Sequence, residues 1–161
     1  MTNKLFILVI CAAVGTAAGF IVMKTYKRKH AYLVGVCDMI GELKRNISYR
    51  NDSAASILGA FDTESTQLKK NIGEYIAYTE AKDGKLDISR GFLSSGDHAK
   101  VKELFGALGT SDGASQMERL NSFSKLFEDM RDKAGEKSDK YGALSVKLGF
   151  LFGLGVGVLF L

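Results

Sequence analysis

Residues 5–23 carry no charged side chain, nor do residues 148–161, and these two apolar runs stand at opposite ends of a 161-residue chain. The first run, as a helix, rises about 28 Å, close to the roughly 30 Å of a bilayer's hydrocarbon layer. The second covers only about 21 Å by itself, so Leu144 to Val146 must join it and Lys147 must snorkel back to the headgroups. The chain therefore reads as a membrane protein: one membrane helix over residues 5–23, a body over 24–147, and a second membrane helix over 144–161 that shares its boundary with the body. Between the apolar ends no run is long enough to cross a bilayer. A chain that is 46% hydrophobic, 25% charged and free of proline is neither a disordered tail nor a proline-rich linker.

The basic residues set the orientation. Lys24, Lys27, Arg28 and Lys29 follow the first run, and Lys133, Lys137, Lys140 and Lys147 precede the second, whereas Lys4 alone lies beyond them. By the positive-inside rule the body is expected in the cytosol, with both termini outside the cytoplasm. The net charge of +4 comes from the collar at 24–29; from His30 to Lys147 there are 17 basic against 18 acidic residues. That near-neutral body argues against nucleic acid as a partner, and the excess sits where anionic lipid headgroups lie. Leu8-Val9-Ile10-Cys11 lacks the small residue that a lipoprotein signal needs before its cysteine. The apolar run continues past Ala17-Ala18 to Met23, so a retained anchor is expected instead of a cleaved signal.

Small residues recur every fourth position in both runs: Cys11, Gly15 and Gly19 in the first, Gly149, Gly153 and Gly157 in the second. Such stripes let helix backbones approach closely. Glycine is common in membrane helices, so one stripe alone says little. Two in so short a chain point to helix pairing, either within the chain or between copies in a homo-oligomer.

The body reads as all-α, a helical bundle between two membrane anchors. From His30 to Tyr49, Leu33, Cys37, Ile40, Leu43 and Ile47 follow helical spacing. Asp52 or Ser53 is placed to cap a short helix containing Ile57, Leu58 and Phe61. A third helix is expected from about Asp62 to Ala81, a short one over Asp87 to Leu93, and another opening at Ser94-Ser95-Gly96-Asp97 with Val101, Leu104, Phe105 and Leu108 on one side. Gly109-Thr110-Ser111-Asp112 is read as a stop and a new cap. The last helix, from about Gly113 to Lys140, carries Met117, Leu120, Phe123, Phe127, Met130 and Ala134 on one face. It alone is expected to run on into an anchor.

Little here suggests catalysis. His30 and His98 have no partner by spacing and read as solvated surface histidines. Cys11 and Cys37 form no zinc pattern and are not expected to pair. The glycines of Gly153-Leu154-Gly155-Val156-Gly157 lack the lysine of a phosphate loop. The Asn46-Ile47-Ser48 sequon falls on a helix expected in the cytosol. No cofactor or metal is expected, and the chain is not expected to be an enzyme. Glu128, Asp129, Asp132 and Glu136 alternate with basic residues on the last helix; this is either a solvated face with pairs such as Asp129 with Lys133, or a docking face for a basic partner.

Leu104, Leu108, Gly109, Ser111, Asp112 and Gln116 resemble the pattern L-G-x-x-L-G-x-S-D-x-x-x-Q of the stage III sporulation protein AB family of endospore-forming bacteria. Lys140-Tyr141 followed by Lys147-Leu148-Gly149 and Gly153, the early Ile47 and Tyr49, and the two anchors resemble the same family over nearly the whole chain. Phe105 stands where the pattern has its first glycine, and a proline expected after Tyr49 is missing. The resemblance implies a membrane subunit of the transenvelope channel complex between mother cell and forespore, residing in the mother-cell membrane. It also implies a cytosolic bundle similar to a domain of the inner-membrane platform protein of type II secretion and type IV pilus machines. The implied partners are a secretion-ATPase-like protein and the other membrane subunits of that complex. A platform-like subunit of an ordinary secretion or pilus system is the alternative reading, with a membrane-bound enzyme a more distant one.

Overall fold

The computed structural model describes residues 2–50, 53–81, 84–109 and 113–159. Its helices are α1 (Thr2–Arg50), α2 (Ala54–Ala60), α3 (Thr66–Ala81), α4 (Ser95–Ala107) and α5 (Gly113–Leu159), and among the described residues there is no strand. The chain forms two compact units, one from residues 1–30 and 133–161 and the other from residues 31–132.

In the first unit, α1 and α5 run antiparallel. The pairing of Gly157 with Leu8, Gly142 with Met23 and Gly135 with His30 fixes that direction, because residue numbers rise on one helix as they fall on the other. Their outward faces are apolar: Phe6, Val14 and Ile21 on α1, and Leu151, Phe152 and Leu159 on α5 are exposed, Phe152 to 75% and Leu159 to 85%. A water-soluble protein rarely tolerates so continuous an apolar surface. Both helices are long and apolar enough to cross a membrane. The hydroxyls along them are turned inward onto the helix backbone, with Thr16 donating to the Ala12 carbonyl (2.7 Å) and Ser145 to that of Tyr141 (2.6 Å). In hydrocarbon no water could take that role.

In the second unit, α1 buries more than the single stripe expected from spacing. Leu33, Ile40 and Leu43 are buried, as are Tyr32, Val36 and Met39, while Cys37 and Ile47 are half-buried. They meet Ile57 and Leu58 of α2, Leu68, Ile72 and Tyr75 of α3, Val101, Leu104 and Phe105 of α4, and Leu120, Phe127 and Met130 of α5 as the buried core. Close approach is required at Gly35, where a Cβ would lie 2.8 Å from Thr63 Oγ1 and 2.9 Å from Leu68 Cδ2. Ser53 caps α2 by accepting the Ser56 N–H at 3.2 Å; Asp52, the other candidate cap, lies outside the described residues. Ser94 caps α4, accepting the Asp97 N–H at 3.2 Å and donating to its carboxylate at 2.6 Å. The Ser94 oxygen on the Asp97 N–H is the N-cap bond that such helix starts use.

Three expectations are corrected. Helix α3 begins at Thr66 and not near Asp62, because Ser65 Oγ accepts the Leu68 N–H (3.4 Å) and Asp62 instead accepts the Thr63 N–H and pairs with Lys69 (2.8 Å). Residues 87–93 form no helix; side chains of neighbouring helices take up the backbone groups that a helix would need. Finally, α5 is not alone in continuing from body to anchor. Helix α1 is unbroken from Thr2 to Arg50, since nothing in Lys24 to His30 interrupts it.

Candidate functional site

In the first unit, α1 and α5 come into direct contact at the glycines. A Cβ on Gly19 would lie 2.5 Å from the Ser145 carbonyl oxygen and 2.8 Å from Val146 Cα. One on Gly15 would strike the Gly149 carbonyl and come 2.9 Å from Gly153 Cα; one on Gly153 would strike the Cys11 carbonyl and come 3.0 Å from Ala12 Cα. At Gly149 the obstacles are Gly15 backbone and Gly19 Cα (3.2 Å), and at Gly157 the Leu8 Cα (3.2 Å). Every obstacle named is backbone, which cannot rotate away as a side chain can. The glycines are thus where the main chains of α1 and α5 meet directly.

In the second unit, a polar network holds the described residues 84–94 that precede α4. Buried Asn71 accepts the Tyr32 hydroxyl (3.0 Å) and donates to the Ser89 carbonyl (2.9 Å) and the Glu74 carboxylate (3.2 Å). Glu74 in turn accepts the Ser89 N–H (2.7 Å) and the Ser89 hydroxyl, and Gln67 donates to the Ser89 carbonyl (3.1 Å). His98 Nε2 donates to the Ile88 carbonyl at 2.6 Å. With these groups committed, and Gly91 in the left-handed region at φ 53°, the segment is held as an ordered loop. Burial raises the Glu74 carboxyl, but the two Ser89 bonds, Asn71 and Lys70 outweigh it, and its pKa falls below the ordinary value. Burial, then the Glu74 charge, pushes the Tyr32 hydroxyl up. His98 is half-buried and structural, correcting its reading as a solvated surface histidine. Sequence reasoning missed this network; its one signal is Asn71, a polar residue on the inward face of α3 between Leu68, Ile72 and Tyr75.

Cys37 is half-buried, and burial is the main cause pushing its thiol up to about 11, with Arg131 opposing and Glu128, Asp38 and Asp132 adding to it. At neutral pH it stays protonated and weakly nucleophilic. The Asn46 amide of the sequon is engaged by the Glu42 carbonyl (3.0 Å) and carboxylate (2.7 Å).

Of the motif residues, Leu104 and Leu108 are buried in the core and Gln116 is buried on α5. Gly109 follows α4 at φ 73°, a conformation that favours glycine, and Tyr75 donates to the Leu108 carbonyl at 3.4 Å. Ser111 and Asp112 lie outside the described residues. On α5, Glu128, Asp129 and Asp132 are exposed in the second unit and Glu136 in the first. Ser124 donates to Glu128 (2.8 Å), and Arg131 pairs with Asp132 (2.8 Å). Separately, a groove between α4 and α5 is lined by Glu103, Gly106, Glu118, Arg119, Phe123 and Leu126.

A family model described as stage III sporulation protein AB matches residues 4–161. No curated protein and no solved structure matches the chain.

Proposed function

The chain belongs to the stage III sporulation protein AB family, and from that premise we propose that it is a non-enzymatic membrane scaffold that couples a cytosolic secretion-type ATPase to the other membrane subunits of the channel between mother cell and forespore. The observation that carries the reading is the backbone-to-backbone packing of α1 on α5. It joins two separate anchors into one helix pair, with Leu8 and Gly157 at one end and Lys24, Lys27, Arg28, Lys137 and Lys140 at the other. The positive-inside rule then favours a cytosolic body and termini outside the cytoplasm. Both α1 and α5 leave the anchors as unbroken helix, so a push on the body would travel along two helices and not through a slack linker.

In this reading the exposed carboxylates Glu128, Asp129 and Asp132 receive the cytosolic partner, and Glu136 lies on the stretch of α5 nearer the membrane. The decisive experiment is photocrosslinking in sporulating cells from Asp129 and, separately, Glu136. Adducts with the ATPase-like protein from Asp129 are expected, and adducts with neither the ATPase nor any stage III membrane subunit would overturn the scaffold role. Protease added to intact spheroplasts should leave the body whole; its digestion would reverse the assigned orientation.

A further inference from the structure

The register of the helix pair brings two separate basic clusters to one height. Gly135 lies against His30 and Gly142 against Met23, so residues 24–29 of α1 run past residues 136–141 of α5. These stretches hold six basic side chains against two carboxylates, Glu136 and Asp139. Lys24, Lys27, Arg28, Lys137 and Lys140 are all exposed. At the same height Tyr26 stacks on Tyr141, ring centroids 6.2 Å apart, and the Lys140 ammonium lies 5.5 Å from the Tyr141 ring centre. One turn further along each helix the surface becomes mainly apolar, with Ile21, Val22, Leu144 and Leu148 exposed and Lys147 the one cation among them, its stem able to reach back toward the collar.

We infer that this collar, built jointly by α1 and α5, is a binding surface for the phosphate groups of anionic phospholipids; the inference rests on the membrane reading of the two helices. A phospholipid offers an acyl chain and a phosphate a few ångströms apart, and the collar offers the matching sequence of apolar belt, amphipathic aromatic pair and cations. Tyrosine rings favour this headgroup level, and cations clustered between membrane helices on the cytoplasmic side suit lipids whose charge no choline offsets. The carboxylates of Glu136 and Asp139 are too few to neutralise the collar, so a net positive surface meets the headgroups.

The chain has no tryptophan, so Leu144→Trp in the full-length protein introduces a single reporter in the apolar belt beside the collar. The protein is reconstituted in phosphatidylcholine–phosphatidylglycerol bilayers with one lipid or the other brominated on its acyl chains. Quenching should show phosphatidylglycerol held about fivefold more strongly than phosphatidylcholine, the effect of one well-placed ammonium, with the preference shrinking in high salt. Adding Lys137→Gln and Lys140→Gln should reduce the preference at least about twofold, since two of the exposed cations are gone. Equal quenching by both lipids, or a preference indifferent to those substitutions, overturns the inference while leaving the membrane reading intact. Absence of quenching by either lipid overturns the membrane reading itself. Inorganic phosphate at constant ionic strength should not displace the lipid; if it does, the collar is a free-phosphate site and the lipid assignment fails.

Discussion

A disulfide placed between the two anchors would test directly whether they pair within one chain. An ideal Cβ on Gly157 lies 3.4 Å from the Cβ of Cys11, close to the separation of about 3.8 Å typical of bridged cysteines. In a Cys37→Ala background, Gly157→Cys should therefore form a bridge to Cys11 on treatment of membranes with a permeant oxidant. The product should run as a monomer on a non-reducing gel, and co-expression of two differently tagged copies should give no mixed species. The same geometry supplies a graded control one turn away. A Cβ on Gly153 meets the Cys11 carbonyl and comes within 3.0 Å of Ala12 Cα, all of it main chain. Gly153→Ala must then part the helices by about 1 Å, and overpacking of this kind costs about 1–3 kcal/mol. That cost lowers the population of the closed pair about 5- to 150-fold, which the initial rate of crosslinking reads, and Gly153→Leu should abolish the bridge. A covalent dimer as the main product, or a rate indifferent to both Gly153 substitutions, would refute the intramolecular packing argument.

Replacing Asn71 with Leu strands the buried Tyr32 hydroxyl and leaves the Ser89 carbonyl with Gln67 as its remaining side-chain donor, so thermal unfolding of the full chain in detergent, followed by circular dichroism, should show a loss of about 1–3 kcal/mol; adding Tyr32→Phe should recover part of it. The depressed pKa of Glu74 means the folded state holds its proton less tightly than the unfolded state, so its stabilising contribution is present above the ordinary glutamate range and fades as pH falls through the lower folded value. Glu74→Gln should flatten that acid limb, and an unchanged pH profile would show that the Ser89 bonds contribute nothing to stability. At Gly135, alanine should be tolerated because its Cβ meets only the tip of His30, at 3.2 Å from Nε2. Proline there removes a helix hydrogen bond and collides with the preceding turn, at a cost of about 3 kcal/mol; sporulation should fail with proline and survive with alanine, and normal sporulation with proline would count against force transmission along α5.

The sequence was most informative where one residue type answers to one physical demand. Apolar runs at both ends, a serine three residues before an aspartate at the start of α4, and a glycine past its end are local signals, and each recurs in the structure at the residue that carries it. The loop over residues 84–94 was not legible in this way. Its apolar spacing suits a helix, and only the Glu74 carboxylate and the Asn71, Gln67 and His98 donors arriving from α3 and α4 divert its backbone.

By itself, then, the chain determined its helical class, its apolar ends and the small-residue stripes that permit close approach, because helix periodicity and hydrocarbon length depend on neighbours in sequence. Which stripe meets which, in what direction and in whose chain depends on backbone atoms more than a hundred residues apart, and the tertiary structure alone brought Gly15 onto Gly149 and Gly153. The basic residues beside each anchor are legible along the chain, but the same register alone stacked Tyr26 on Tyr141 between them, a contact that exists in space and has no signature in sequence.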